Sequence, residues 1–149
     1  MGTQFSDIYD FLLAKTDAKE WAWTEDLELL QADWKMLLRM AIQSFLFPRI
    51  SLEVGANEET GEESFINNIT DAEKQVLATY MKHEWLKRSI TNWKNIEMLY
   101  HDKDFKISGK AAHLNALINL EAVYDEECKK IANKYSRKVF DYTTLAGGN

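Results

Sequence analysis

Apolar positions along the chain fall into helical runs separated by polar or breaker-rich stretches. In SDIYDFLLAK, Ile8, Phe11 and Leu12 share one helical face and Ser6 is the predicted N-cap. The second run places Leu27, Leu30, Trp34, Leu37 and Ala41 at alternating intervals of three and four, extends to Phe45 and is ended by Pro48. Thr24 is its predicted cap, with Glu25 and Asp26 in a first turn whose dipole favours carboxylates. Ile50, Leu52 and Val54 then alternate as in a strand, and SFINNI is the nearest segment able to pair with them across the polar loop GANEETGEE. A small hairpin near 49–68 is therefore predicted.

Thr70-Asp71-Ala72-Glu73 has the form of a capping box, in which Thr70 accepts from the Glu73 amide and Glu73 reaches back to the Thr70 amide. The helix it opens carries Val76, Leu77, Tyr80, Met81, Trp85, Leu86 and Ile90. It continues or restarts through Trp93, Ile96 and Leu99 and is interrupted at HDKDFKIS. From Ser108 or Gly109 a last helix follows, with Leu114, Leu117, Glu121, Tyr124, Cys128, Ile131 and Tyr135 alternating at three and four: a heptad seam with one charged member. A helix over 109–137 would be about 43 Å long. Lys129, Lys130, Lys134, Arg137 and Lys138 suit its negative end. Beyond it, VFDYTTLAGGN loses periodicity and predicts a flexible tail. Its Val139, Phe140, Tyr142 and Leu145 are apolar enough to be ordered by a partner.

The fold expected is mainly α: a helical bundle of three to four long helices with a small β-hairpin and an extended C-terminal tail. A single helical domain covers 1–138 and the tail 139–149. Composition agrees, with one proline and six glycines in 149 residues and 46% hydrophobic content. A chain of this size buries roughly 70% of its unfolded surface. One cysteine excludes an internal disulfide and a four-cysteine zinc site. Apolar runs are broken by charge too often to span a bilayer, so no membrane partner is expected, and MGTQFSDIYD lacks the basic head and apolar run of a secretory signal.

Charge changes the picture once it is divided along the chain. Residues 1–70 hold 13 acids against 5 bases and residues 71–149 hold 11 acids against 13 bases, so the net −6 splits into −8 and +2. An acidic total argues against a surface built to grip nucleic acid. The internal polarity instead allows copies to meet acidic face to basic face. Within the loop, Glu58, Glu59, Glu62 and Glu63 lack the alternating ligands and central glycine of a helix-loop-helix calcium site, and are expected as a partner-facing tip.

No catalytic constellation emerges, and neither an enzyme nor a cofactor is expected. His83-Glu84-Trp85-Leu86-Lys87 begins like a zinc-protease helix but has Lys87 where the second histidine is needed. No glutamate has a histidine three residues later, as a di-iron bundle requires, and no nucleophile elbow, phosphate loop or dinucleotide fingerprint occurs. Cys128, at a seam position, is expected to behave as a small hydrophobe. Met1-Gly2-Thr3-Gln4-Phe5-Ser6 formally matches an N-myristoylation pattern, one that many unrelated proteins share. Trp34 and Trp85 belong to apolar stripes; Trp21, Trp23 and Trp93 near helix ends suit core or interface.

LATYMKHEWLKRSI, then DKDFKIS, then AAHLNALINLEAVYDEECKKIANKY form an ordered combination. It resembles the head-to-tail connector proteins of tailed bacteriophages, also called neck, adaptor or head-completion proteins. The residues that carry the resemblance are Leu77, Ala78, Met81, Glu84, Trp85 and Leu86, then Asp104 and Phe105, then Ala112, His113, Leu114 and Leu117. It covers about 70 residues, and the part before Thr70 fits more loosely. Structural roles are expected here: Trp85 as a core anchor, Asp104 with Phe105 closing a turn, and His113 bonding across the helix-turn junction.

What the resemblance implies is a virion component made in the bacterial host cytoplasm. Such connectors form homo-oligomeric rings, commonly of twelve copies, at the head-tail junction. They sit between the portal and the next neck or tail protein and extend the channel through which packaged DNA passes without sequence recognition. The contact elements expected are the 53–68 hairpin and the C-terminal tail. The alternative, from a different class, is a helical regulatory or scaffold protein that binds a partner helix through the heptad seam.

Overall fold

In the computed structural model of the chain the described residues are 2–15, 26–99 and 110–147, with side chains described outside 15, 93, 95–99, 110, 111 and 138–147. Four helices and one hairpin follow in the order α1 (Phe5–Lys15), α2 (Leu27–Ser44), β1 (Val54–Ala56), β2 (Glu63–Phe65), α3 (Asp71–Leu99) and α4 (Lys110–Gly147). The mainly helical bundle with a small hairpin is as the sequence predicted.

The helix ends show local chemistry choosing the boundary. α1 begins at Phe5, one residue before the predicted cap Ser6, because the Asp7 carboxylate accepts the Gln4 amide at 3.3 Å. Asp26, not Thr24, caps α2: its carboxylate accepts from the amides of Glu28 at 3.0 Å and Leu29 at 3.4 Å. Thr24, Trp21 and Trp23 lie outside the described residues. α2 ends at Ser44, and Phe45, extended in backbone, returns its amide to the Ala41 and Ile42 carbonyls ahead of Pro48.

β1 and β2 pair antiparallel with Val54 opposite Phe65 and Ala56 opposite Glu63. The N-terminus extends this pairing. Gln4 bridges Ser64, the Thr3 amide donates to the Asn67 carbonyl at 3.1 Å, and Phe65 donates to the Thr3 carbonyl at 3.0 Å. Gly2 lies so close that a Cβ there would stand 2.2 Å from the Phe65 carbonyl oxygen. Backbone packing thus accounts for the glycine of the formal lipidation pattern.

One core joins every element. Ile8 and Leu12 of α1, Leu37, Leu38 and Ala41 of α2, Phe65 of β2, Val76, Leu77 and Met81 of α3, and Tyr135 of α4 are buried together. Tyr9 meets Trp34 edge to face, and Phe45 does the same with Tyr80 and Tyr135. A smaller cluster of Leu86, Ile90 and Leu114 closes α3 against the start of α4, and half-buried Trp85 packs against both clusters. Trp85 is therefore a bridge between cores more than an anchor within one.

One expectation is corrected. Residues 139–147, expected within the extended tail, are helical in backbone, and α4 runs to Gly147. Loss of apolar periodicity does not end a helix, and no glycine or proline interrupts 110–146, so the first breaker is the pair Gly147-Gly148. At 38 residues α4 is about 57 Å long. The side chains of Val139, Phe140, Tyr142 and Leu145 lie outside those described.

Candidate functional site

The hairpin tip is built by Asn57. Its side-chain oxygen accepts from the amides of Glu59 at 2.8 Å and Thr60 at 3.3 Å, and its carbonyl accepts from Gly61 at 2.8 Å. Gly61 has φ 72°, a conformation glycine adopts without penalty, which lets the chain turn back so that the Asn57 amide reaches the Glu62 carbonyl. Glu58, Glu59 and Glu62 consequently stand exposed, with no side-chain ion pair among the described residues.

Glu63 differs from them. Its carboxylate takes Arg39 Nη2 at 2.8 and 3.0 Å and Lys35 Nζ at 3.1 Å, clamping β2 to α2. Hydrogen bonds from Arg39 and then Lys35 hold its pKa below the ordinary glutamate value. The four acids expected as one tip thus divide into three that face outward and one that holds the hairpin in place.

The heptad seam of α4 faces the protein's own α3. Leu114, Cys128 and Tyr135 are buried, and Leu117, Glu121, Tyr124 and Ile131 are half-buried. Its one charged member has a purpose: Glu121 lies 2.7 Å from His83 Nε2 on α3. Beside this pair, Lys82 places its ammonium 4.1 Å from the Tyr124 ring centroid and 3.4 Å from Glu127. Burial pushes the Cys128 thiol up to about 12, with the nearby Glu127 carboxylate adding to the shift. The seam residues thus pack against the chain's own α3.

A polar chain is buried where three segments meet. The Arg49 amide donates to the Tyr135 hydroxyl at 2.8 Å, and that hydroxyl donates to the Glu73 carboxylate at 3.2 Å. Thr70 donates its hydroxyl to the other Glu73 oxygen. Glu73, 1% exposed, therefore turns inward instead of completing the predicted reciprocal capping box, because two hydroxyls compensate its desolvation in the core. Thr70 still marks the start of α3 through its carbonyl, which accepts the Lys74 amide at 3.1 Å.

Of the other motif residues, His113 is exposed on the first turns of α4, and Asp104 and Phe105 lie outside the described residues. Large exposed apolar side chains gather elsewhere. Leu46 and Phe47, 75% and 83% exposed, follow α2, and Met36 and Met40 are exposed on α2 itself. Ile118, Leu120 and Val123 are exposed on α4. Below Val123 a shallow groove of about 760 Å³ runs past Ala122, Ile131, Lys130 and Lys134.

Sequence reasoning missed the clamps that fix these surfaces. Arg88 on α3 grips Asp33 on α2 through two bonds of 2.5 and 2.9 Å, across 55 residues of chain, a separation no local pattern encodes. Lys35 and Arg39, one turn apart on α2, were the legible half of the Glu63 clamp. Among the described residues no group of His, Cys, Asp and Glu side chains gathers to hold a metal ion, and no helix is long and apolar enough to cross a membrane. No family model, curated protein or solved structure matches the chain.

Proposed function

We propose that this chain is a structural assembly subunit without catalytic function: a head-to-tail connector of a tailed bacteriophage. It forms a ring at the head-tail junction that joins portal to tail and extends the DNA channel. The observation that carries an assembly role is the apolar surface left outside the core. Leu46 and Phe47 stand adjacent and almost bare, and Ile118, Leu120 and Val123 are exposed on a long helix. Exposed apolar area of this kind, edged by charge, is characteristic of surfaces that meet other proteins.

The phage setting comes from the resemblance in Glu84-Trp85-Leu86, Asp104-Phe105 and His113-Leu114. The net charge of −6 suits a channel that DNA slides through without adhering. Partners in this reading are further copies of the chain, the portal, the next neck or tail protein and transiting DNA, all within the virion. Electron microscopy of the purified chain, alone and mixed with the portal encoded alongside it, tests the proposal. Rings, or portals capped by this protein, are expected. A monomer that leaves the portal bare overturns it.

A further inference from the structure

We infer that the shallow groove on the outer face of α4 is the docking site for the hairpin tip of a second copy of this chain. The inference rests on the assembly role proposed above and assigns the two surfaces that make the contact. Internal ion pairing sorts the charged residues into two groups. Asp33, Glu63, Glu121 and Glu127 are each matched by a base of their own chain. Glu58, Glu59 and Glu62 at the tip have no such match, nor do Lys130, Lys134 and Arg137 on α4, among the described residues.

Three unmatched acids thus share one turn, and three unmatched bases share one helical stripe. Spaced by four and three residues, the three bases span about 10 Å of helix, a width that a tight turn can face. The floor of the groove is apolar, formed by Ala122, Val123 and Ile131. Glu126 and Glu127 line the middle of the groove and are matched within the chain, Glu126 lying 3.8 Å from Lys129 and Glu127 3.4 Å from Lys82. When each copy offers its tip to one neighbour and its groove to the other, the contact is heterologous, and it closes into a ring where the rotation between copies allows.

Sedimentation velocity on the full chain in low salt, with two charge-reversed variants, tests this. One variant carries E58K, E59K and E62K; the other carries K130E, K134E and R137E. Wild-type chain is expected to self-associate, more weakly at high salt, where contacts beyond a few ångströms are screened. Each variant alone is expected to associate about tenfold more weakly or worse, and mixing the two to restore association, because opposite faces then match again. Circular dichroism verifies that both variants remain helical. A misfolded reversal is replaced by the milder pair E59C and K134C, mixed under oxidising conditions. That mixture is expected to form a heterodimer faster than either protein forms a homodimer, with buried Cys128 contributing little.

Wild-type association that survives both reversals, or cysteine variants that crosslink no faster together than apart, overturns the docking assignment while leaving the connector reading intact. A wild-type chain that stays monomeric in low salt at high concentration also overturns the assignment. The connector reading then stands or falls on the portal images alone.

Discussion

Tyr135 shows how much one side chain decides. Its ring closes the core against Phe45, and its hydroxyl links the backbone of the α2–β1 connection to the buried Glu73 carboxylate. Tyr135→Phe keeps the ring and strands both partners. The expected cost is about 1–3 kcal/mol, seen as a fall of roughly 3–10 °C in Tm by calorimetry. No change would show that water replaces the hydroxyl. Cys128 gives a second residue-scale outcome. With its pKa pushed up to about 12 by burial, the native thiol is expected to react with an aromatic disulfide at pH 8 at least about tenfold more slowly than the urea-unfolded chain. Equal rates would mean that the α3–α4 seam opens readily. Because this thiol is harder to ionise folded than unfolded, its linkage favours the fold at neutral pH and is lost as pH rises from about 9 towards 12.

At the scale of elements, the hairpin is held from two sides. On one side Glu63 is clamped by α2. Its folded pKa is lowered, so the clamp contributes fully above the ordinary glutamate value of 4.5 and is lost as pH falls through the lower folded value. Amide exchange in Val54–Ala56 and Glu63–Phe65 is expected to accelerate, relative to the helices, as the solution is acidified below pH 4. Glu63→Gln should show faster exchange already at pH 7 and little further acid sensitivity. An unchanged profile in that variant would place the acid response elsewhere. On the other side Gly2 lies against β2. Gly2→Ala has no space for its methyl group, 2.2 Å from the Phe65 carbonyl oxygen, and is expected to release the N-terminal strand. Loss of protection at the Phe65 amide, which donates to Thr3, would report it. Retained protection would mean the strand shifts without detaching.

For the whole molecule, the segment 139–149 carries Val139, Phe140, Tyr142 and Leu145, which are expected to be ordered by a partner. Deleting 139–149 is therefore expected to leave Tm within a few degrees of the full chain while weakening ring or portal assembly, read by calorimetry and electron microscopy on the same preparation. A large loss of Tm in the isolated chain would place the segment in the core. The net charge acquires a structural meaning at this scale too. The split into −8 and +2 is partly consumed inside the fold, where Asp33 meets Arg88 and Glu63 meets Lys35 and Arg39. Among the charges left unmatched are those of the hairpin tip and of the stripe on α4.

The sequence by itself determined the helical runs, the hairpin between them and the inward face of α4, because a stripe at 3.6-residue spacing follows from backbone geometry that each segment carries locally. Leu30, Trp34, Leu37 and Ala41 are buried as their spacing required, whereas Leu27 at the start of that stripe is 59% exposed, and of the seam Leu114, Cys128 and Tyr135 are buried and the rest half-buried. Only the tertiary structure decided what those faces meet. The seam turned out to be covered by the chain's own α3, Glu73 turned inward to hydroxyls from two different segments, and one of four hairpin acids was diverted to α2. Each of these includes contacts between residues tens of positions apart, and the energy of such contacts comes from desolvation and direct bonding in a place that exists only once the helices have packed.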